Sequence, residues 1–133
     1  MIEHDLHLVT VVTCAYIEKN GRVLICQRKM EDGTPGGWEF PGGKVEPGES
    51  LKACLEREIA EELSITVTAE EEIIRLRHDA GDKMFVLVFF RTMITGGELR
   101  LHVHADAVWE EPKKFDEYDF LPADRQFIKM FFR

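Results

Sequence analysis

The stretch that most constrains this chain is PGGKVEPGESLKACLEREIAEEL, residues 41–63. Its first eight residues hold three glycines and two prolines, which dictates a loop. Ser50 then stands where a helix N-cap is expected, and Leu51–Leu63 follows with no glycine or proline inside it. A capping box is not completed, because Ala53 occupies the place of its Glu or Gln. With Leu51 at zero and about 100° per residue, Leu55 falls at about 40°, Ile59 at about 80° and Cys54 at about −60°. Glu58, at about −20°, and Glu62, at about 20°, land in the middle of that apolar face. Glu61 lies at its edge, and only Glu56 points clearly away. Glu56 is therefore expected to be a surface acid without a task.

Two readings of this helix stay open on composition alone. Glutamate is a good helix former, and Arg57 can pair with Glu61 at i,i+4, so the acids can form a solvated face. In the second reading, Glu58, Glu61 and Glu62 project to one side within about one turn. Like charges repel there, and partial burial adds to the cost. A hard divalent cation relieves both, and magnesium keeps waters and takes substrate phosphates as further ligands. The preceding loop divides the same way. Gly42-Gly43 lets backbone approach a ligand closely, and Lys44 is a flexible point charge suited to phosphate. A plain Gly-Pro turn would look alike. The loop is not a P-loop, since no GK[ST] closes it.

The rest of the chain reads mostly as strands. His7–Lys19 is rich in Val, Thr, Ile and Tyr; Asn20-Gly21 signals a hairpin, and Arg22–Arg28 returns as its second strand. Lys29–Gly37 is a loop, Trp38–Phe40 is short and extended, and Pro41–Gly48 is loop again. Ser64–Arg77 reads as one or two strands, Asp79–Asp82 as a turn, and Met84–Met93 as a buried strand around FVLVFF. Leu99–Val103 and Ala107–Glu111 read as short strands. Pro122–Phe131 closes as a second helix, with Phe127, Ile128, Met130 and Phe131 on its apolar side. Two helices over many strands predict an α/β sandwich on a mixed sheet, and 133 residues suit a single domain over 1–133.

A net charge of −8 argues against a groove for polymeric nucleic acid, though not against a small polyphosphate whose bound cations invert the local charge. No run is long enough to span a membrane. The opening MIEHDLHLVT lacks a basic segment followed by an apolar one, so no signal peptide is expected. Cys14, Cys26 and Cys54 sit in apolar patterns with no CxxC spacing, which fits free thiols in a reducing cytoplasm. A monomer or homodimer is expected.

Gly43, five residues, Glu49, seven residues, then Arg57-Glu58-Ile59-Ala60-Glu61-Glu62 match the Nudix box, GX5EX7REUXEEXGU, where U is aliphatic. The chain thus resembles the Nudix family, and the match displaces the solvated reading of the helix. One position departs: Ser64 stands where the box has the glycine that ends the helix, followed by the expected aliphatic Ile65. Ser64 is expected to manage that exit without free access to left-handed geometry. The resemblance implies an α/β/α sandwich with a mixed central β-sheet. It implies hydrolysis of a nucleoside diphosphate linked to another moiety, with Mg2+ or Mn2+. Glu58, Glu61 and Glu62 would carry the metal, joined by the carbonyl of Gly42, and Glu58 or a neighbouring acid would deprotonate the attacking water. Arg57 would orient Glu58, Glu49 would hold the loop against the helix, and Lys44 would contact phosphates.

Beyond the box, most of the chain resembles MutT-type nucleoside triphosphate pyrophosphohydrolases, including the branch acting on CTP and modified pyrimidine nucleotides. By that resemblance Arg28 contacts phosphate; otherwise it is a solvated strand end. Glu39 and Phe40 lie where the nucleoside packs, though Phe40 is equally suited to the core. Asp124, in LPAD, either meets the base or is an acid in the first helical turn. Lys83 either reaches the base or phosphates or is solvated. Some of these enzymes add a glutamate six residues before the strand tryptophan. Counting back from Trp109 gives Val103, so His102, His104, Asp106 and Glu98 stand as substitutes or as an exposed strand face. His102 and His104, two apart on a strand, are expected to face one side. The expected reaction converts an NTP or dNTP, canonical, oxidised or methylated, to NMP and pyrophosphate. The alternatives are another Nudix substrate (ADP-ribose, a dinucleoside polyphosphate or a nucleotide sugar) and a non-catalytic nucleotide sensor. The sensor is disfavoured because all three box acids are present.

Overall fold

In a computed structural model, which describes residues 9–132, alternation along two strands decides the architecture. β1 (Val9–Lys19) buries Cys14 and Tyr16 in one core and Ala15 and Ile17 in another. A second strand, Lys83–Gly97, does the same with Leu87 and Phe89 against Val88 and Phe90. Strands apolar on both faces belong in the middle of a covered sheet. These two are neighbours, paired in parallel from Val9↔Met84 to Ile17↔Thr92.

The remaining strands build outward from that pair. β2 (Arg22–Arg28) leaves β1 through Asn20-Gly21, whose φ angles of 55° and 78° suit a tight hairpin turn. β3 (Trp38–Glu39) pairs antiparallel with β2, and β4 (Gly42–Lys44) antiparallel with β1. β5 (Ile65–Ala80) pairs antiparallel with β6, the Lys83–Gly97 strand, and β7 (His104–Glu110) with β2. The result, among the described residues, is a seven-stranded sheet, mixed as the pattern predicts.

A helix covers each face. On one, α1 (Leu51–Leu63) sets Leu55, Ile59 and Leu63, all fully buried, against Ile17, Leu24, Val88 and Phe90. Each such side chain contributes roughly 1.5–3 kcal/mol by leaving water. On the other, α2 (Pro122–Phe131) packs Ala123 and Phe127 against Tyr16, Phe40 and Phe89, with the Phe89 and Phe127 rings stacked 4.1 Å apart. Among the described residues no helix is long and apolar enough to cross a membrane.

Several expectations need correction. His7 and Leu8, at the start of the expected first strand, lie outside the described residues. Pro41–Gly48 is not all loop, because β4 runs through it. A Cβ on Gly42 would lie 1.8 Å from the Thr13 carbonyl oxygen, so only glycine lets this backbone dock so closely on β1. Of Ser64–Arg77, Ser64 caps α1 and the rest belongs to one long strand with bulges, which starts at Ile65 and continues to Ala80. Leu99–Val103 is not a strand. Its backbone donors go to the end of α1 instead: Arg100 N–H to the Leu63 carbonyl at 2.9 Å and His102 N–H to the Glu62 carbonyl at 3.1 Å. A 3-10 turn, Pro112–Glu117, precedes α2 and was not expected.

One residue of α1 and the residue that caps it also behave differently from expectation. Ser64 does adopt left-handed geometry, with φ 59° and ψ 21°, and its N–H caps the Ala60 carbonyl at 3.1 Å. Its hydroxyl lies 2.6 Å from His102 Nε2, a bond that helps hold the strained residue in place. Glu56 is not idle. Its carboxylate accepts the Ala69 N–H at 2.9 Å, beside the irregular stretch of β5 between Ala69 and Glu72.

Candidate active site

The site is built on the C-terminal half of α1 and the loop before the helix. Ser50 caps the helix, its hydroxyl accepting the Ala53 N–H at 3.1 Å. About two turns on from the cap, Arg57 gathers the loop and the acids. It donates to both Glu49 carboxylate oxygens (2.6 and 3.0 Å), to the Lys44 carbonyl (3.3 Å), and to one oxygen each of Glu58 (3.0 Å) and Glu61 (3.1 Å). Such a paired contact is geometrically specific to a guanidinium. It pushes the Glu49 carboxyl down to about 2, chiefly through the Arg57 bond, and raises Arg57 further above its usual value. Glu49 also accepts the Glu46 N–H at 3.1 Å, so the loop closes on itself before the helix starts.

The three box acids sit in different surroundings. Glu61 is exposed, while the Glu58 side chain is 16% accessible. The Glu58 carboxyl lies against the backbone of Gly43, where a Cβ would come within 1.6 Å of its Oε2. Desolvation raises the Glu58 carboxyl, and the Arg57 bond opposes that rise. Glu62 is deeper. Its Oε1 is buried and has no hydrogen-bond partner among the described residues. Burial pushes its carboxyl up to about 7; His104 opposes this, and Glu58, Glu39 and Glu61 add to it.

From Glu62 a cleft of about 990 Å³ opens across the end of the sheet and reaches Asp124 on α2. Arg28, Glu39, Phe40, Gly42 and Lys44 line the same cleft. Its size is that of a small-molecule site. Asp124 is almost wholly buried at the first turn of α2, and its Oδ1 accepts the Phe40 N–H at 3.0 Å. Desolvation pushes its carboxyl up to about 7, with Phe40 N–H opposing, Glu39 raising it further and Arg28 lowering it.

The structure separates some residues that sequence reasoning grouped. Glu58 and Glu61 do not line the cleft, although Gly43, on which Glu58 rests, does. Lys83 is exposed at the start of β6 and is not among the lining residues. His102 and His104 do not share a face: His102 bonds to Ser64, while His104 is buried against Glu39 and borders the cleft. The reason is that β7 begins only at His104, so a period of two does not extend back to His102. Asp106 and Glu98 are exposed. Phe40 is both core and cleft: it is buried and stacked on Phe120, and it lines the opening. Cys14, His78, Phe85 and Leu87 line the cleft without having been singled out. Phe85 and Leu87 were findable, since they alternate on the Phe89 face of β6.

The donor set suits a hard cation. Glu58, Glu61, Glu62 and the nearby glycine carbonyls offer oxygen only, and Glu62 has a buried oxygen without a partner. Among the described residues no three His, Cys, Asp or Glu side chains are arranged as a group that could hold a metal ion by itself. An open site of this kind fits an ion that keeps waters and takes further oxygens from a ligand.

Comparison with known proteins agrees with this geometry. The NUDIX domain model matches residues 7–131. The chain is 35% identical to the CTP pyrophosphohydrolase of Escherichia coli (strain K12) over 120 residues, 90% of this chain and 89% of that one. It is likewise 35% identical to a putative 8-oxo-dGTP diphosphatase 2 of Mycobacterium tuberculosis (strain H37Rv), over 89% of this chain and 84% of that one. The crystal structure of a MutT protein from Methanosarcina mazei superimposes with a TM-score of 0.78 at 27% identity, covering 92% of each chain.

Proposed function

The chain belongs to the Nudix family and is a MutT-like hydrolase, and from that premise we propose that it cleaves a nucleoside triphosphate to the monophosphate and pyrophosphate with a divalent metal, Mg2+ or Mn2+. The observation that carries the proposal is that one cleft is lined by the carboxylate of Glu62, by the cations Arg28 and Lys44, and by the buried acid Asp124 with the aromatic Phe40, whose N–H it accepts. Those groups suit metal, polyphosphate and nucleoside respectively. The similarity to a CTP pyrophosphohydrolase and to an 8-oxo-dGTP diphosphatase supports the same substrate class.

In this reading Glu58, Glu61, Glu62 and the carbonyl of Gly42 hold the metal. A bound divalent ion supplies charge against the polyphosphate and lowers the pKa of a coordinated water. The chain's own residues do the rest. Arg57 fixes Glu58 against the loop, so that carboxyl needs little rearrangement during a turnover. Glu58 or a neighbouring acid takes the proton of a water that attacks the β phosphorus. A new bond forms from the water oxygen to that phosphorus. The bond from it to the α–β bridging oxygen breaks, and the nucleoside monophosphate leaves with the electron pair. Arg28 and Lys44 neutralise phosphate oxygens as charge shifts between them.

In this reading Asp124 meets the base. One of its oxygens is occupied by Phe40 N–H, which leaves the other for a ligand. A protonated acid donates there and an ionised one accepts, so the preferred base edge changes with pH around 7.

The test is a panel of NTPs, dNTPs, their oxidised and methylated forms, ADP-ribose, dinucleoside polyphosphates and nucleotide sugars, each with Mg2+ and with Mn2+. NMP and pyrophosphate from one or more triphosphates support the proposal. Hydrolysis confined to the other compounds overturns the substrate class. Binding of nucleotides with no hydrolysis of any compound makes the protein a sensor instead.

A further inference from the structure

We propose that His104 is a positioning residue that holds Glu39, and through it Arg28, in the geometry needed to grip the substrate. The inference rests on the reading above, in which Arg28 faces the polyphosphate.

Three strands bring the three residues together. Glu39 on β3 lies opposite Cys26 of β2, and His104 on β7 lies opposite Arg28. The β2–β7 ladder shifts register between Gln27 and Arg28, and such a bulge re-aims the side chain that follows it. The two Glu39 oxygens are divided: Oε2 is 2.9 Å from His104 Nε2, and Oε1 accepts from Arg28 Nε at 2.9 Å. A carboxylate only accepts, so the proton between Glu39 and His104 sits on Nε2. Side-chain exposure rises along the chain of contacts, from 3% at His104 through 16% at Glu39 to 62% at Arg28.

This gradient indicates which group orders which. His104 is packed and cannot swing away; Arg28 projects into the cleft and is mobile without its partner. Glu39 engages only Nε of Arg28, and the two terminal amino groups have no hydrogen-bond partner among the described residues. Those groups form the edge of the guanidinium that matches a phosphate in a paired contact. A guanidinium anchored at Nε presents that edge in a fixed direction, which lowers the ordering cost of binding. The Nδ1 of His104 is buried and without a partner among the described residues, so the Nε2 bond to Glu39 is the only polar contact that holds the ring there.

The experiment uses His104→Gln, whose amide reaches the Nε2 position, His104→Asn, whose amide stops at the Nδ1 position, and His104→Ala. Each is measured in the full-length protein with its metal and with the best triphosphate of the panel. His104→Ala and His104→Asn are expected to raise KM about 10-fold while kcat stays within about 3-fold, and His104→Gln to return KM to within about 3-fold of wild type. In an Arg28→Ala background, His104→Ala is expected to change KM by less than about 2-fold, because the two act in one line. Rescue by Asn rather than Gln, a loss confined to kcat, or independent effects of His104 and Arg28 would each overturn the inference. A readout free of substrate separates this from the function itself. The Arg28 Nε–H, followed by 15N NMR in the ligand-free protein, should exchange slowly in wild type and His104→Gln and fast in His104→Ala. A wild type that cleaves no triphosphate defeats the proposed function. Equal Nε–H exchange in wild type and His104→Ala defeats the role of His104, whatever the substrate.

Discussion

Asp124 ties the stability of the fold to pH, and Asp124→Asn isolates the effect. In the folded chain its carboxyl titrates at about 7, against the usual 3.8, because burial disfavours the charged form. The folded state therefore keeps a proton that the unfolded chain releases once the pH passes about 4. Stability from this group is fully present below that pH and is lost as the pH rises towards 7. The slope is about 1.4 kcal/mol per pH unit, and a shift of about three units sums to at most about 4 kcal/mol. Asparagine keeps an oxygen for the Phe40 N–H but does not titrate. The variant should match wild type near pH 4 and exceed it increasingly up to pH 8. Urea unfolding at unit pH steps reads this out, with the difference between the two proteins as the quantity of interest. Glu62, raised to about 7, adds a similar slope, but it does so in both proteins. A difference that stays flat with pH, or that favours wild type as the pH rises, would refute the buried-acid argument.

Other outcomes can be checked alongside. Glu61→Gln and Glu62→Gln should each lower kcat by about 100-fold or more with the fold intact, as steady-state kinetics and circular dichroism would show; unchanged turnover in both removes them from the metal site. Ser64→Gly should raise stability by about 1 kcal/mol in a His102→Ala background, where no imidazole holds the left-handed serine, and by less in wild type. Glu56→Ala should cost about 1–2 kcal/mol in thermal or urea unfolding by leaving the Ala69 N–H without its acceptor, with kcat/KM within about 2-fold of wild type.

The helix Leu51–Leu63 was legible because its signals are local: a capping serine, an unbroken period and a fixed spacing back to the glycines. The hairpin at Asn20-Gly21 was legible for the same reason. What misled was tertiary. The wheel treats a helix as having one buried side, but β5 is long enough to pass beside α1 and give Glu56 a backbone donor on the side that looked free. Alternating apolar residues in Leu99–Val103 look like a strand, yet their backbone closes the end of α1. Left-handed geometry looked closed to Ser64 because its partner, His102, stands far along the chain. The box acids, joined by spacing, could be named from the sequence. The line from His104 through Glu39 to Arg28 could not, since it exists only where three strands meet.

The parallel pairing of β1 with β6 bears on how the chain reaches this state. Val9 meets Met84 and Ile17 meets Thr92, so the middle of the sheet closes only after more than two thirds of the sequence is available. Closing so long a loop comes before any contact rewards it, which makes this step slow relative to the local β1–β2 hairpin and to α1. During synthesis the loop and the glutamate helix emerge well before β6, while the apolar faces of β1 wait uncovered. That interval, rather than the finished fold, is when this chain is most exposed to aggregation and most dependent on assistance.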